Sequence, residues 1–178
     1  NPQTQIVTFP LTRNEDVFIF ATTPQEGWRE ESWTLPGDVH ELRAVYQSFH
    51  PEARALLDAC DEVLKSALYV RDPLPRWSIG NCTMLGDAAH PMMPFMAQGA
   101  GMAIEDAVVL ARCVAELSDE PVAERLAIYE RVRKPRASQI QIGSRGNEWM
   151  KDGGNADWVY GYDAWGVSLA PDAVAASS

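Results

Sequence analysis

The residue types best suited to binding a ligand follow one another after Cys82. The short apolar run Cys82–Leu85 predicts a strand buried on both faces, and Gly86-Asp87 turns the chain after it. A proline-rich loop then leads to Gly99, where a long apolar helix pattern begins. The carboxylate of Asp87 is therefore expected near the start of a helix, whose first N–H groups have no partners within the helix. Such a position suits a polar, electron-rich ligand.

Each of these residues also has a plainer interpretation. An Asp after a strand can satisfy the amides of its own turn, and glycines at the start of a helix can serve packing alone. His90 is a candidate catalytic base, but a histidine beside a proline is more often held by structural hydrogen bonds. Glu105 and Asp106 are adjacent on the helix pattern and point about 100° apart, so we expect capping or ion pairing rather than joint acid–base chemistry.

The first half of the chain predicts a hairpin and two helices. Gln5–Leu11 and Val17–Thr22 are rich in strand-forming residues and flank a short polar segment. Asp38 is placed to cap a helix that begins at Val39, and Pro51 is placed at the first turn of a second helix that reaches Cys60.

The second half predicts a strand and a series of helices. Val63–Val70 is expected to be a strand, and the prolines that follow it favour an extended connector. The helix after Gly99 is apolar on nearly all sides, which is typical of a helix inside a larger body. A second helix begins at Pro121 and is expected to be interrupted near Pro135, with a third, more polar run to Met150.

Composition excludes several classes of function. The chain has 178 residues and a net charge of −10, whereas binding to nucleic acid requires a basic face. No apolar stretch is long enough to cross a membrane. The three cysteines have no metal-ligand spacing and are expected to be buried, reduced thiols of a cytoplasmic protein. No serine or cysteine has a recognisable base as its partner, so no catalytic nucleophile is predicted. The sequence contains no cluster of metal-ligand residues, so no metal site is predicted either.

The segment GDAAHPMMPFMAQGAGMAIEDA, residues 86–107, resembles the second flavin-contacting motif of the single-component FAD-dependent aromatic hydroxylases, such as p-hydroxybenzoate and salicylate hydroxylases. Its loop is most similar to that of 6-hydroxynicotinate 3-monooxygenase-like proteins. The resemblance implies a mixed α/β (α+β) fold, made of the C-terminal part of an FAD/NAD(P)-binding Rossmann-like domain and part of an inserted β-sheet substrate domain. We expect residues 1–75 in the substrate domain and residues 76–178 in the FAD-binding domain.

The glycine turn that opens such a dinucleotide-binding domain, Gly-x-Gly-x-x-Gly, does not occur in the sequence. The chain is therefore expected to be a fragment, with the missing N-terminal half of the same protein as its partner. Whether the protein forms a homodimer stays open.

The resemblance also implies roles for particular residues. Asp87 would accept a hydrogen bond from the ribityl chain of FAD, and His90 would organise the loop or lie beside the flavin. Residues expected to contact FAD are Gly86, Asp87, Pro94, Ala97, Gln98, Gly99 and Ala100. Residues expected to contact the substrate are Gln5, Phe9, Met93, Phe95 and Met96. Arg71 and Asp72 are expected to orient one another.

The function implied by the resemblance is FAD-dependent hydroxylation of a small aromatic or N-heteroaromatic acid, with NADH or NADPH as a transient co-substrate and O2 as the oxidant. Two alternatives remain at this point. One is another flavin monooxygenase chemistry, such as epoxidation or halogenation. The other is a truncated, non-catalytic interaction module.

Overall fold

A computed structural model describes residues 4–30, 32–146 and 157–170. These residues form two compact units that divide between Leu68 and Tyr69. The domain boundary predicted between residues 75 and 76 stays a prediction, because a compact unit need not coincide with a domain.

The first unit opens with the predicted hairpin. Strand β1 (Gln5–Leu11) pairs with β2 (Asp16–Thr22) in antiparallel register, from Gln5 opposite Thr22 to Leu11 opposite Asp16. A single 3-10 turn joins the two strands. Strand β3 (Leu35–Pro36) pairs with β4 (Leu64–Lys65). The strand predicted over Val63–Val70 is wrong beyond β4, because residues 66–70 pair with no other strand in the described part of the chain.

Two short helices pack beside the hairpin, and both begin where the sequence predicts. Asp38 caps α1 (Val39–Val45) by accepting a hydrogen bond of 2.7 Å from the N–H of His40. Helix α2 (Pro51–Asp58) begins at Pro51, a residue that lacks the N–H that a first turn would leave unpaired. The hydroxyl of buried Tyr46 donates to the Thr22 carbonyl at 2.7 Å and so ties this layer to the hairpin.

The second unit begins with a small hairpin, β5 (Ser78–Ile79) and β6 (Cys82–Thr83). Cys82 is exposed, so the prediction of a strand buried on both faces is wrong; β6 is too short and lies at an edge. The prediction of buried thiols holds only for Cys113, where burial raises the pKa to about 11.

Among the described residues, three α-helices follow: α3 (Gly99–Glu116), α4 (Val122–Gly143) and the short α5 (Asp157–Tyr160). The interruption predicted near Pro135 is wrong, since α4 continues through that residue. Residues on one face of α4, from Leu126 through Tyr129 and Ala137 to Ile140, are buried. Burial of this face outweighs the cost of about 3 kcal/mol that a proline imposes inside a helix. The end of the third run, at Met150, lies outside the described residues.

Two groups of buried side chains surround α3 and α4. One contains Trp77, Ala89, Val109, Cys113, Tyr129 and Ala137, and the other contains Met96, Met102, Ile140 and Val159. The opposite face of α3 is not covered within the described chain, because Ile104 is 65% exposed and Val114 is 51% exposed. Helix α3 is thus buried on one side only, although its sequence is apolar on nearly all sides.

Candidate functional site

The turn from Gly86 to His90 presents the acidic residue that the sequence singles out. Gly86 has a φ of +57°, and a Cβ there would lie 3.2 Å from the Cβ of Ala103, so both the backbone conformation and the close approach of α3 favour glycine. The Gly86 carbonyl accepts hydrogen bonds from the N–H groups of Ala89 and His90, each at 2.9 Å. Asp87 is exposed on this closed turn.

The structure brings Asp87 to the N-terminus of α3. A Cβ added to Gly99, the first residue of α3, would lie 3.9 Å from Asp87 Oδ1. The N-cap residue Gln98 makes no side-chain hydrogen bond to the first amides of the helix. The carboxylate and the positive end of the helix dipole therefore lie side by side, as predicted.

The Asp87 carboxylate accepts no hydrogen bond from residues 4–30, 32–146 or 157–170. This finding disfavours the plainer interpretation of Asp87 as a residue that satisfies its own turn. An exposed carboxylate beside uncapped helix amides can accept a hydrogen bond from a ligand hydroxyl, while the amides donate to a ligand oxygen.

The loop before α3 turns through a strained residue. A 3-10 turn, Pro94–Met96, ends at Ala97, which has a φ of 51° and a ψ of 31°. The left-handed region costs a residue other than glycine roughly 1–2 kcal/mol. Pro94, Ala97 and Ala100 are exposed, and Gln98 and Gly99 are partly exposed. All the residues predicted to contact a cofactor except Gly86 thus present some surface around the start of α3.

The C-terminal end of α4 holds the backbone of this loop. Gln141 Nε2 donates to the Pro91 carbonyl at 2.9 Å and to the Arg71 carbonyl at 3.1 Å. Ser144 Oγ accepts from the N–H of Met93 at 3.1 Å and donates to the Gln141 carbonyl. Sequence reasoning missed both residues. The sequence signal that could have identified them is that both polar residues fall on the buried face of the α4 helix pattern.

Behind the turn lies a buried network of charged side chains. Asp106 and Arg133 have no exposed surface, and Arg133 Nε donates to Asp106 Oδ1 at 2.8 Å. The other oxygen, Oδ2, accepts from the N–H of Gly86 at 3.0 Å and lies 2.6 Å from His90 Nε2. The ion pairing expected of Asp106 is therefore found, and His90 is 1% exposed.

The network continues to the surface through Glu105. Arg133 Nη1 lies 2.8 Å from Glu105 Oε2 in an ion-pair contact, and Arg136 binds both Glu105 oxygens at 2.8 Å. The guanidinium carbons of Arg133 and Arg136 lie 4.9 Å and 4.3 Å from the centre of the Tyr162 ring. The segment after α5 thus covers the network with an aromatic face, an arrangement that favours cations.

The surroundings of Asp106 change its pKa. Burial by itself raises the pKa, but hydrogen bonds from His90, Arg133 and the Gly86 N–H outweigh burial and hold it below its ordinary value. Asp106 is therefore an anion that the protein itself neutralises. Burial and the Asp106 charge also raise the pKa of the nearby Tyr129 hydroxyl, which donates to the Met84 carbonyl at 3.2 Å.

The residues predicted to contact a substrate differ in their surroundings. Met93 and Phe95 are partly exposed on the loop, whereas Met96 is 2% exposed and packs with Met102, Ile140 and Val159. Gln5 and Phe9 lie on β1 in the other unit, where the Phe9 ring stacks on Phe18 with centroids 4.8 Å apart. Phe9 is 46% exposed. Burial favours a packing role for Met96.

The prediction that Arg71 and Asp72 orient one another is wrong, because both are held by Arg145. Asp72 Oδ1 pairs with Arg145 Nη2 at 2.7 Å, and the Arg71 backbone carbonyl accepts from Arg145 at 2.9 Å. Arg145 follows α4 closely, so the connector is held by the same end of α4 that holds the loop.

The described residues offer neither a membrane span nor a cluster of metal ligands. Within residues 4–30, 32–146 and 157–170, no helix is both long and apolar enough to cross a membrane. The same part of the chain contains no group of three or more His, Cys, Asp or Glu side chains placed to hold a metal ion.

Comparisons with known proteins define the class of fold and then the family. The chain superimposes on the structure of a salicylate hydroxylase substrate complex with a TM-score of 0.78 and 24% identity, over 91% of this chain and 46% of that one. The fold is thus that of an FAD-binding monooxygenase, as predicted. Residues 17–143 match a family described as FAD binding domain. The chain belongs to this family, which confirms FAD as the cofactor.

Relatives named as monooxygenases are similar over nearly the whole chain. The chain is 40% identical to 6-hydroxynicotinate 3-monooxygenase of Pseudomonas fluorescens over 174 residues, which are 97% of this chain and 45% of the relative. It is also 40% identical to the Bordetella bronchiseptica protein of the same name, over 92% of this chain and 43% of that relative. The chain therefore spans less than half the length of these relatives.

Proposed function

We propose that the full-length protein is an FAD-dependent monooxygenase that hydroxylates a small aromatic or N-heteroaromatic acid with NADH or NADPH and O2. The observation that carries the proposal is the Asp87 carboxylate, which lacks a donor within the described chain and lies at the uncapped start of α3. The family match and the 40% identity to 6-hydroxynicotinate 3-monooxygenases support it.

The residues around α3 fit the chemical groups of FAD. The Asp87 carboxylate would accept a hydrogen bond from a hydroxyl of the ribityl chain. Amides at the start of α3 would donate to a carbonyl oxygen of the flat ring, where preorganised donors stabilise negative charge. Pro94, Ala97 and Ala100 are exposed, which leaves room for a ligand to approach closely. When bound, FAD would supply the redox chemistry, in which a hydride from the nicotinamide provides two electrons, one oxygen atom of O2 enters the substrate and the other leaves as water.

The remaining task of the protein is to place the substrate ring and exclude water. Met93 and Phe95 are the candidates from the loop, where both are partly exposed, and Gln5 and Phe9 are the candidates from the hairpin. His90 is buried against Asp106, so we assign it to holding the turn rather than to moving a proton of the substrate.

We further propose that the glycine turn for the FAD pyrophosphate lies in an N-terminal half that this chain lacks. The relatives are more than twice as long as the matched region. The uncovered apolar face of α3, which includes Ile104 and Val114, is available to pack against that half.

The test is FAD affinity in the full-length protein carrying Asp87→Ala. Loss of the acceptor leaves a ligand hydroxyl unpaired, so affinity should fall by about 1–3 kcal/mol, or roughly 5- to 150-fold. Asp87→Asn keeps one acceptor oxygen and should weaken binding less. Asp119→Ala, which removes an exposed carboxylate beyond the far end of α3, is the control. Unchanged affinity in Asp87→Ala would remove the central support for the site.

The reaction itself is tested by NAD(P)H consumption and product formation with 6-hydroxynicotinate and salicylate. Conversion of either acid to a hydroxylated product supports the proposal. A purified full-length protein that binds FAD yet hydroxylates neither of these acids, nor other ring acids of similar size, would contradict the substrate class.

A further inference from the structure

We propose that Asp106, a buried residue of α3, is a positioning residue for the FAD contact made by Asp87. Its carboxylate contacts Gly86 and His90, the first and last residues of the Gly86–His90 turn. It thereby fixes the position of the Asp87 side chain, which it does not contact. The inference rests on the proposed role of Asp87 and extends it by naming what determines its position.

A single oxygen atom of Asp106 makes both contacts with the turn. Oδ2 accepts from the N–H of Gly86 at 3.0 Å and lies 2.6 Å from His90 Nε2. The turn is closed on its other side, where the Gly86 carbonyl accepts from the His90 N–H at 2.9 Å. Asp87 is the second residue of this turn, so its backbone position follows from where Gly86 is held.

The Asp106 carboxylate is itself unable to move freely. Its second oxygen, Oδ1, accepts from Arg133 Nε at 2.8 Å, and both residues are fully buried. Displacing Asp106 would break a buried ion pair, and an uncompensated buried charge is strongly unfavourable.

Without Asp106, the Gly86 N–H has no other acceptor among the residues that the structure describes. Gly86 is buried, so its N–H would become an unpaired donor away from water. Its φ of +57° is strained for any residue other than glycine, and glycine is also the residue with the greatest freedom to leave that conformation. Loss of the acceptor should therefore let the turn shift, and Asp87 should shift with it.

The consequence is that Asp87 and Asp106 are coupled energetically in FAD binding without touching. If Asp106 acts through Asp87, its substitution should matter only while Asp87 is present. A general loosening of the fold would instead weaken FAD binding by the same factor whether or not Asp87 is present.

The test is a double-mutant cycle in the full-length, FAD-free protein, using Asp87→Ala, Asp106→Asn and the double variant. In Asp106→Asn the side chain has one acceptor oxygen and one NH2 group. Because Arg133 can only donate, the oxygen should face Arg133 and the NH2 group should face the Gly86 N–H. The Gly86 N–H is then left without an acceptor. FAD affinity is measured by quenching of flavin fluorescence on titration. We expect Asp106→Asn to weaken FAD roughly tenfold, a coupling typical of residues in one network.

The decisive comparison is between the double variant and Asp87→Ala. Their FAD affinities should agree within about twofold, the usual error of additivity. Glu105→Gln is the matched control, because it removes a neighbouring carboxylate that contacts Arg133 but not the turn. It should lower the unfolding temperature and leave FAD affinity unchanged. Hydrogen exchange of the Gly86 amide without FAD should accelerate in Asp106→Asn but not in Glu105→Gln.

Two results would overturn the inference: equal weakening by Asp106→Asn with and without Asp87, or loss of FAD affinity in Glu105→Gln as large as in Asp106→Asn. If Asp106→Asn does not fold, the cycle is run with His90→Phe, which removes one contact to Asp106 and keeps a ring beside Trp77, under the same criterion. Unchanged FAD affinity in Asp87→Ala alone would refute the proposed flavin contact. An additive cycle on a clear Asp87 effect would refute only the role of Asp106.

Discussion

Replacement of Arg133 by Met tests whether the buried network stabilises the second unit. Arg133 has no exposed surface and binds Asp106 at 2.8 Å. Removing one partner of a buried ion pair costs about 3–5 kcal/mol, because the other charge is left in a medium of low polarity. Met is unbranched and follows the path of the arginine side chain as far as about Nε, so it packs there with little strain.

The cost in this protein should lie at the lower end of that range. Asp106 keeps the Gly86 N–H and His90 as partners, and Glu105 keeps both contacts with Arg136. We therefore expect a loss of about 3 kcal/mol. The control is Lys134→Met on the neighbouring residue, whose side chain is 31% exposed and pairs with Glu130 one turn earlier. It should cost about 1 kcal/mol or less.

The loss should also depend on pH. The pKa of Asp106 in the folded protein lies below its ordinary value of 3.8, since the hydrogen bonds from His90, Arg133 and Gly86 outweigh burial. A lowered folded pKa contributes stability that is complete above the unfolded pKa and is lost as the pH falls through the folded pKa. Without Arg133 that pKa rises and the contribution shrinks. The difference between wild type and variant should therefore narrow from about pH 7 to about pH 3.

Urea unfolding of the FAD-free full-length protein, followed by far-ultraviolet circular dichroism, measures these differences. Shifts in the transition that reports the helices give the loss for each variant at each pH. The reasoning is refuted if Arg133→Met is no more destabilising than Lys134→Met, or if its deficit is the same at both pH values.

Two further predictions follow from the proposed function. The 178-residue chain alone should bind FAD weakly or not at all, because it lacks the glycine turn that holds a pyrophosphate; tight stoichiometric binding on titration would contradict this. Phe9→Ala and Phe95→Ala should keep FAD but release a larger share of the reduced oxygen as peroxide, because the ring is poorly placed and water enters. Product formed per NAD(P)H consumed measures this effect, and wild-type coupling in both variants would place the ring pocket elsewhere.

Features determined by neighbouring residues could be predicted from the sequence. The hairpin of β1 and β2 follows from two strand-forming runs around a short polar segment, and the starts of α1 and α2 follow from Asp38 and Pro51. The meeting of Asp87 with the start of α3 was predictable for a related reason. Strand, turn and helix succeed one another along the chain, so few arrangements are open to them.

Features determined by distant residues could not be predicted in this way. Asp106 and Arg133 lie on different helices, and neither position differs in type from an exposed charge on a helix. The sequence of α3 indicated that Asp106 is suited to ion pairing, but it did not indicate that Arg133 is the partner. Met96 resembles Met93 in sequence, and only packing against Ile140 and Val159 distinguishes its environment.

The continuity of α4 through Pro135 connects the two parts of the site. Arg133 holds Asp106, and through it the Gly86–His90 turn, while Gln141 binds the Pro91 carbonyl two helical turns further on, about 12 Å along the axis. Pro135 lies between these two contacts and has no N–H to donate within the helix. A break at Pro135 would leave Arg133 in place and turn Gln141 away from the loop. The turn that carries Asp87 and the loop that leads into α3 therefore keep a fixed relation because both are held by one uninterrupted helix.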